Sequence, residues 1–194
     1  MPWVIVLVKD FDTAKQRLGP ALAPAARRQL AIANAERAIL AAAGVGHPLV
    51  VAGSQEAAAL GRRLGAEVLL EAEPRGQNPA AAAGIAHALG LGAEAVLVLS
   101  SDLPLVTETS LRRVLDAAGA EGPVAVAAAA TGRGGTNALF LRPPDGLGLH
   151  FGDRSLPKFE ADAAARGLEF KVVEDPALAL DLDEPADLAA LESR

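Results

Sequence analysis

The stretch AVLVLSSDLPLV, residues 95–106, decides the fold. Ala95 to Leu99 is an unbroken apolar run of strand length, with no polar alternation, as expected of a strand covered on both faces. Asp102 follows at once, and Pro104 prevents the segment from continuing as a regular ladder or helix. A buried strand that opens onto a carboxylate belongs in an open α/β sheet, where ligands sit beyond the carboxyl ends of the strands.

The same pattern repeats outward from this stretch. Strands are predicted at Trp3 to Val8, Leu49 to Ala52, Glu67 to Leu70, Ala95 to Leu99, Val124 to Ala128, Asn137 to Leu141 and Glu169 to Val173. Helices fill the gaps: Pro24 to about Ala43, Ser54 to near Gly65, and further starts at Asn78-Pro79, Thr107 and Ser155. This order gives a three-layer α/β/α fold with a mostly parallel sheet, in a single domain over residues 1–194. After Gly119 the alternation weakens. There GPVAVAAAATGRGGTNALFL, residues 122–141, reads as two β segments joined by the turn TGRGGT, with an antiparallel or edge strand.

Composition narrows the function. The 194 residues are 51% apolar, enough for one well-filled core, and contain no cysteine, which excludes disulfides, thiolate metal sites and cysteine nucleophiles. A cytoplasmic location is compatible with that. The net charge of -6 argues against a nucleic-acid partner, so an anionic substrate needs a local basic cluster. The short apolar opening WVIVLV lacks a preceding basic segment and runs into Lys9 and Asp10, so it is read as a strand and not as a signal peptide or membrane segment. The histidines, His47, His87 and His150, have no metal-ligand spacing, and no G-x-S-x-G element is present.

The segments after the strands carry the chemistry. VKDFDTAKQRLGP, residues 8–20, holds Lys9, Lys15 and Arg17, a cradle for a polyphosphate or else a solvated loop paired with Asp10 and Asp12; the P-loop spacing is absent. EAEPRGQNPAAAAG, residues 71–84, offers Gly76 for close backbone approach and the amides of Gln77 and Asn78 for a base, although Asn78 also fits an ordinary N-cap. Thr136 begins a strand, and Gly152 and Ser155 bracket a turn into a helix whose N-terminus suits a phosphate or carboxylate, with Arg154 and Lys158 near; Ser155 as a plain N-cap is the alternative. In ALALDLDEPADLAAL, residues 177–191, an extended conformation puts Asp181 and Asp183 on one face, and with Asp102 they make an all-oxygen site suited to magnesium. Preparation of the last helix, with Pro185 and Asp187 in its first turn, is the rival explanation.

VKDFDTAKQRL, GQNPAAAAG, SSDLPLV, GTNAL, FGDRSL and DLDEPADL, in that order over nearly the whole chain, resemble the 2-phospho-L-lactate guanylyltransferase family of deazaflavin coenzyme F(420) biosynthesis. The resemblance implies the nucleotide-diphospho-sugar transferase fold. It also implies magnesium-dependent transfer of GMP from GTP to 2-phospho-L-lactate or phosphoenolpyruvate, with release of diphosphate. It carries metal binding to Asp102, Asp181 and Asp183, and substrate binding to Thr136, Gly152 and Ser155. Lys9, Lys15 and Arg17 are then expected to hold the nucleotide phosphates, Lys9, Lys15 and Asp102 acting in catalysis, while Gly76, Gln77 and Asn78 serve the nucleoside. A homodimer is left open. Two departures stand out: Lys158 and Phe159 lie where family members often have a histidine, and Glu184, a poor N-cap, precedes Pro185 where relatives often have threonine. The alternatives are a sugar-phosphate or molybdopterin nucleotidyltransferase, disfavoured by the missing Gly-rich loop after the first strand, and a non-enzymatic phosphoacceptor regulatory domain, disfavoured by Lys9 where acids are needed.

Overall fold

The computed structural model describes residues 1–131 and 134–192. Seven strands, β1 (Trp3–Val8), β2 (His47–Ala52), β3 (Glu67–Leu70), β4 (Val96–Ser100), β5 (Val124–Ala129), β6 (Thr136–Arg142) and β7 (Glu169–Val173), form one sheet in the order β3-β2-β1-β4-β6-β5-β7. All neighbours are parallel except around β6, which runs antiparallel to both β4 and β5. The expected antiparallel strand is therefore β6, set inside the sheet. Gly132 and Arg133 of the predicted turn between β5 and β6 lie outside the described residues. Strand β2 starts at His47, earlier than expected. Pro48 is tolerated because pairing with β3 begins only at Leu49, so its missing N–H costs no ladder bond on that side.

Helices cover both faces. On one side α1 (Pro24–Ala43), α2 (Gln55–Arg63) and α4 (Glu108–Ala118) pack through Ala35, Ile39, Leu60 and Leu111 onto Val4, Val6, Val50 and Leu97. On the other, α3 (Gln77–Gly90) and α5 (Ser155–Arg166) bury Ala81, Ile85, Phe159 and Ala163 against Ile5, Val51, Val98 and Leu139. Alternate strand residues thus feed two separate cores, which is why the strands are apolar throughout. Helix α3 lies close to the sheet because Gly84 faces it: a Cβ there would stand 2.6 Å from Ile5 Cγ2 and 2.9 Å from Val51 Cγ2.

Near the C-terminus the structure departs from the expected extended segment. Pro176–Ala179 is a helical turn, α6, capped by Asp175, whose Oδ1 accepts the Ala177 N–H at 2.8 Å. Asp followed by Pro is an N-cap and first-turn pair, and it overrides the strand-like look of the apolar run. Beyond it the chain is extended at Leu180, and the period of two holds: Leu180 and Leu182 are buried, while Asp181 and Asp183 reach a cavity wall. Helix α7 (Pro185–Glu192) does begin at Pro185 despite Glu184. The first-turn acid Asp187 reaches back, its Oδ2 accepting the N–H groups of Asp183 at 2.9 Å and Glu184 at 2.7 Å.

Candidate active site

The carboxyl ends of β1, β2, β3 and β4 open onto a cavity of about 1000 Å³, and antiparallel β6 brings its starting residues to the same mouth. Lys9, Arg17, Gly76, Gln77, Asp102, Thr136, Gly152, Asp181 and Asp183 all line it. Lys15, Asn78 and Ser155 do not, and each has a specific partner instead.

The loop after β1 is organised by Asp10, whose Oδ1 accepts the N–H groups of Asp12 at 2.8 Å and Thr13 at 3.2 Å. Asp12 in turn meets Arg28 at 3.1 Å. These acids are therefore not the partners of the loop cations. Arg17 pairs with Asp183 at 2.8 Å, and Lys15 pairs with Asp102 at 2.9 Å. Lys9 is exposed, and its side chain makes no hydrogen bond or ion pair with a described residue.

On the β3 side, Gly76 is the residue before α3, with φ 108°, a conformation that favours glycine. The helix starts at Gln77, two residues earlier than an Asn78 cap would give, so Asn78 sits inside its first turn. Its amide instead accepts the Phe151 N–H at 2.8 Å and donates to the Phe151 carbonyl at 3.1 Å. Glu71, passed over by the sequence reading, also lines this side, directly beyond the end of β3. Burial pushes its carboxyl above the ordinary range, against the opposing charge of Arg75. The signal was available: it is the acid at a strand mouth, the feature that singled out Asp102.

On the β6 side, Thr136 and Ser155 are buried together, with Ser155 Oγ donating to Thr136 Oγ1 at 3.0 Å. Ser155 is the first residue of α5 and not its cap. Arg154 holds that position with φ 50°, without a side-chain cap bond. Lys158 turns away to donate to the Asp153 carbonyl at 3.0 Å. Phe159, where a histidine was noted as common, is fully buried against Phe151 and His150. Asn137 is buried and donates to the Leu178 carbonyl at 2.8 Å, tying α6 to β6.

Acids outnumber cations on the wall near Asp102: Asp153, Asp181, Asp183 and Glu184 face the same space as Lys9 and Arg17. A triphosphate is repelled by such a surface unless cations enter with it. Among the described residues no three acidic or histidine side chains form a ready-made metal cage, and Lys15 and Arg17 pair with Asp102 and Asp183. Asp102 Oδ2 has no partner among the described residues. The donor set still fits magnesium, which uses one or two carboxylates and completes its shell with water and phosphate oxygens.

The family model described as "Guanylyl transferase CofC like" matches residues 2–192. The phosphoenolpyruvate guanylyltransferase of Rubrobacter xylanophilus is 41% identical over 193 residues, covering 98% of this chain and 93% of that one. The 2-phospho-L-lactate guanylyltransferase of Methanothermobacter thermautotrophicus is 32% identical over 191 residues, covering 96% and 82%. Among solved structures, a candidate nucleotide-diphospho-sugar transferase from Desulfovibrio desulfuricans matches with a TM-score of 0.79 at 18% identity, covering 98% and 87%, which is a likeness of fold. No helix among the described residues is long and apolar enough to cross a membrane.

Proposed function

The chain belongs to the guanylyl transferase CofC-like family, and from that we propose that it moves GMP from GTP onto the phosphate of a phosphorylated three-carbon acid, releasing diphosphate, as a step of deazaflavin coenzyme F(420) formation. Phosphoenolpyruvate is the favoured acceptor, since the relative at 41% identity carries that name; 2-phospho-L-lactate is the other. With the family known, the regulatory-domain reading falls away.

The observation that carries the mechanism is the position of Asp102. It follows β4, which lies between β1 and β6, so the acid sits between the wall of Glu71, Gly76 and Gln77 and the wall of Thr136 and Gly152. The first wall suits a nucleoside. Gly76 admits close approach, Gln77 offers an amide, and the Glu71 carboxylate matches the paired N–H donors of a guanine edge, which adenine lacks. The second wall suits the acid, through the backbone at Gly152 and the Thr136 hydroxyl. The reacting phosphorus then lies over Asp102.

An oxygen of the acceptor phosphate attacks the α-phosphorus of GTP, the bond to the β-phosphate breaks, and diphosphate leaves with the electron pair. The nucleophile is already anionic, so no general base is required. Catalysis is alignment of two anions and neutralisation of their charge. Lys9, on the wall beside the leaving phosphates, and Arg17, once released from Asp183, supply cations. Asp102, Asp181 and Asp183 would hold magnesium, which supplies Lewis-acid stabilisation of the phosphates.

Asp181→Asn is expected to abolish diphosphate release from GTP with phosphoenolpyruvate and magnesium while leaving the thermal transition in place. Near-normal turnover would overturn the metal assignment. In the same assay, release driven by a sugar phosphate but by neither acid would overturn the acceptor. Equal use of ITP and GTP would remove the guanine amino group from the recognition by Glu71.

A further inference from the structure

Lys15 was expected among the phosphate-holding cations, and its surroundings point elsewhere. Its side chain is 2% exposed and stays off the cavity wall. Nζ donates to Asp102 Oδ1 at 2.9 Å and to the Leu182 carbonyl at 2.8 Å. The Leu182 N–H donates in turn to the Asp102 carbonyl at 3.1 Å. One ammonium thus joins the loop after β1, the mouth of β4 and the C-terminal segment, and the residue it grips there is the one flanked by Asp181 and Asp183. Lys15 itself adopts φ 57° and ψ 32°, a left-handed conformation that L-residues seldom take, and it turns the side chain inward.

We propose that Lys15 is a positioning residue that fixes the spacing of Asp102 from the segment bearing Asp181 and Asp183, and that it does not bind nucleotide phosphate. The inference rests on the reading of those acids as the reaction-site carboxylates. A buried ammonium needs its charge and donors satisfied, and here one carboxylate oxygen and one carbonyl do so. Exchange of these partners for a phosphate would leave both acceptors without their donor. Arg17, two residues on, makes the contrasting contact. Its pair with Asp183 is 66% exposed on the arginine side and lies at the cavity, where a ligand competes with it. The same turn carries one fixed tether and one exchangeable tether.

The test uses Lys15→Met, which keeps most of the length and removes the charge. In protein free of nucleotide and metal, hydrogen exchange at the Leu182 amide is expected to quicken about tenfold or more as its bond to Asp102 loosens. In turnover, kcat is expected to fall about 10- to 100-fold, with KM for GTP changed less than about threefold, the pattern of lost alignment. A tenfold rise in KM for GTP with kcat and exchange unchanged would make Lys15 a phosphate ligand and overturn the proposal, as would a variant indistinguishable from the parent. The unaltered protein gives a second measurement that does not depend on the variant folding. Amine acylation is expected to leave Lys15 unreactive with or without GTP, while Lys9 reacts and is protected by GTP. Rapid acylation of Lys15 that GTP suppresses would refute the tether. Faster Leu182 exchange in a protein that transfers no GMP would instead refute the function and leave the tether standing.

Discussion

Replacing Asn78 by alanine tests whether the two walls of the cavity are joined as the structure shows. Asn78 lies in the first turn of α3, and its amide makes two bonds to the backbone of Phe151, next to Gly152. Both bonds are partly buried. Each is worth about 1 kcal/mol net, and leaving the Phe151 N–H and carbonyl unmatched adds to that, so the loss should be about 2–3 kcal/mol. For a domain of this size that lowers the melting temperature by about 5–10 °C. The two sides should not suffer equally. Helix α3 is anchored on the sheet through Ala81, Gly84 and Ile85, whereas Phe151 sits in irregular chain between β6 and α5. Loosening should therefore fall on the Gly152 side, raising KM for the phosphorylated acid more than KM for GTP. Urea denaturation and steady-state kinetics with each substrate varied measure both parts. A loss below about 0.5 kcal/mol, or a rise confined to KM for GTP, would refute the argument.

Two further predictions concern the frame around the site. In Gly84→Ala the new methyl meets Ile5 Cγ2 at 2.6 Å and Val51 Cγ2 at 2.9 Å, both branched side chains in central strands with little room to yield. Overpacking costs about 1–3 kcal/mol, more than the roughly 1 kcal/mol gained from helix propensity, so net destabilisation is expected in urea; a more stable variant would show that α3 can move off the sheet freely. Asp162 is held down to about 2 from an ordinary 3.8, first by its bond to Arg166 and then by the Gly148 N–H, with His150 also facing it. A lowered folded-state pKa contributes stability that is present above pH 4 and lost as pH falls toward 2. The size is about 2 kcal/mol at most. Asp162→Asn should therefore lose stability at neutral pH and flatten the acid limb between those values. Parallel pH profiles of parent and variant would contradict this.

The fold was legible because it depends on local pattern: apolar strands without alternation, helices between them, and acids or glycines at the strand mouths. The side-chain partners that could not be read share a cause. Asn78 and Ser155 look like helix caps, yet long-range partners, Phe151 and Thr136, claim their side chains, while Gly76 and Arg154 hold the capping positions. No window of neighbouring residues contains that information. Lys15 is the same case, with partners 87 and 167 positions away. The α6 turn is different, since Asp175-Pro176 announces it locally and the apolar run that follows outweighed the signal. Thr136 lines the cavity for a reason that only the topology explains. A strand's first residue reaches the ligand mouth when the strand runs backwards, and β6 is the one strand pairing antiparallel with its neighbours.

That reversal also bears on how one small domain handles two anions. If β6 were parallel, Thr136 would lie at the opposite end of the sheet, and the acceptor wall would have to come from residues after Arg142. Running backwards, β6 places its start beside the end of β4, with Leu99 opposite Ala138. Thr136 and, from the loop before α5, Gly152 then line the same cavity as Asp102. On the proposed reading the nucleotide wall comes from chain leaving parallel strands, and the acceptor wall from chain entering an antiparallel one. Asp102 and Asp183 lie on the seam, paired with Lys15 and Arg17. On the proposed mechanism Arg17 exchanges Asp183 for phosphate, while Lys15 keeps Asp102 in place.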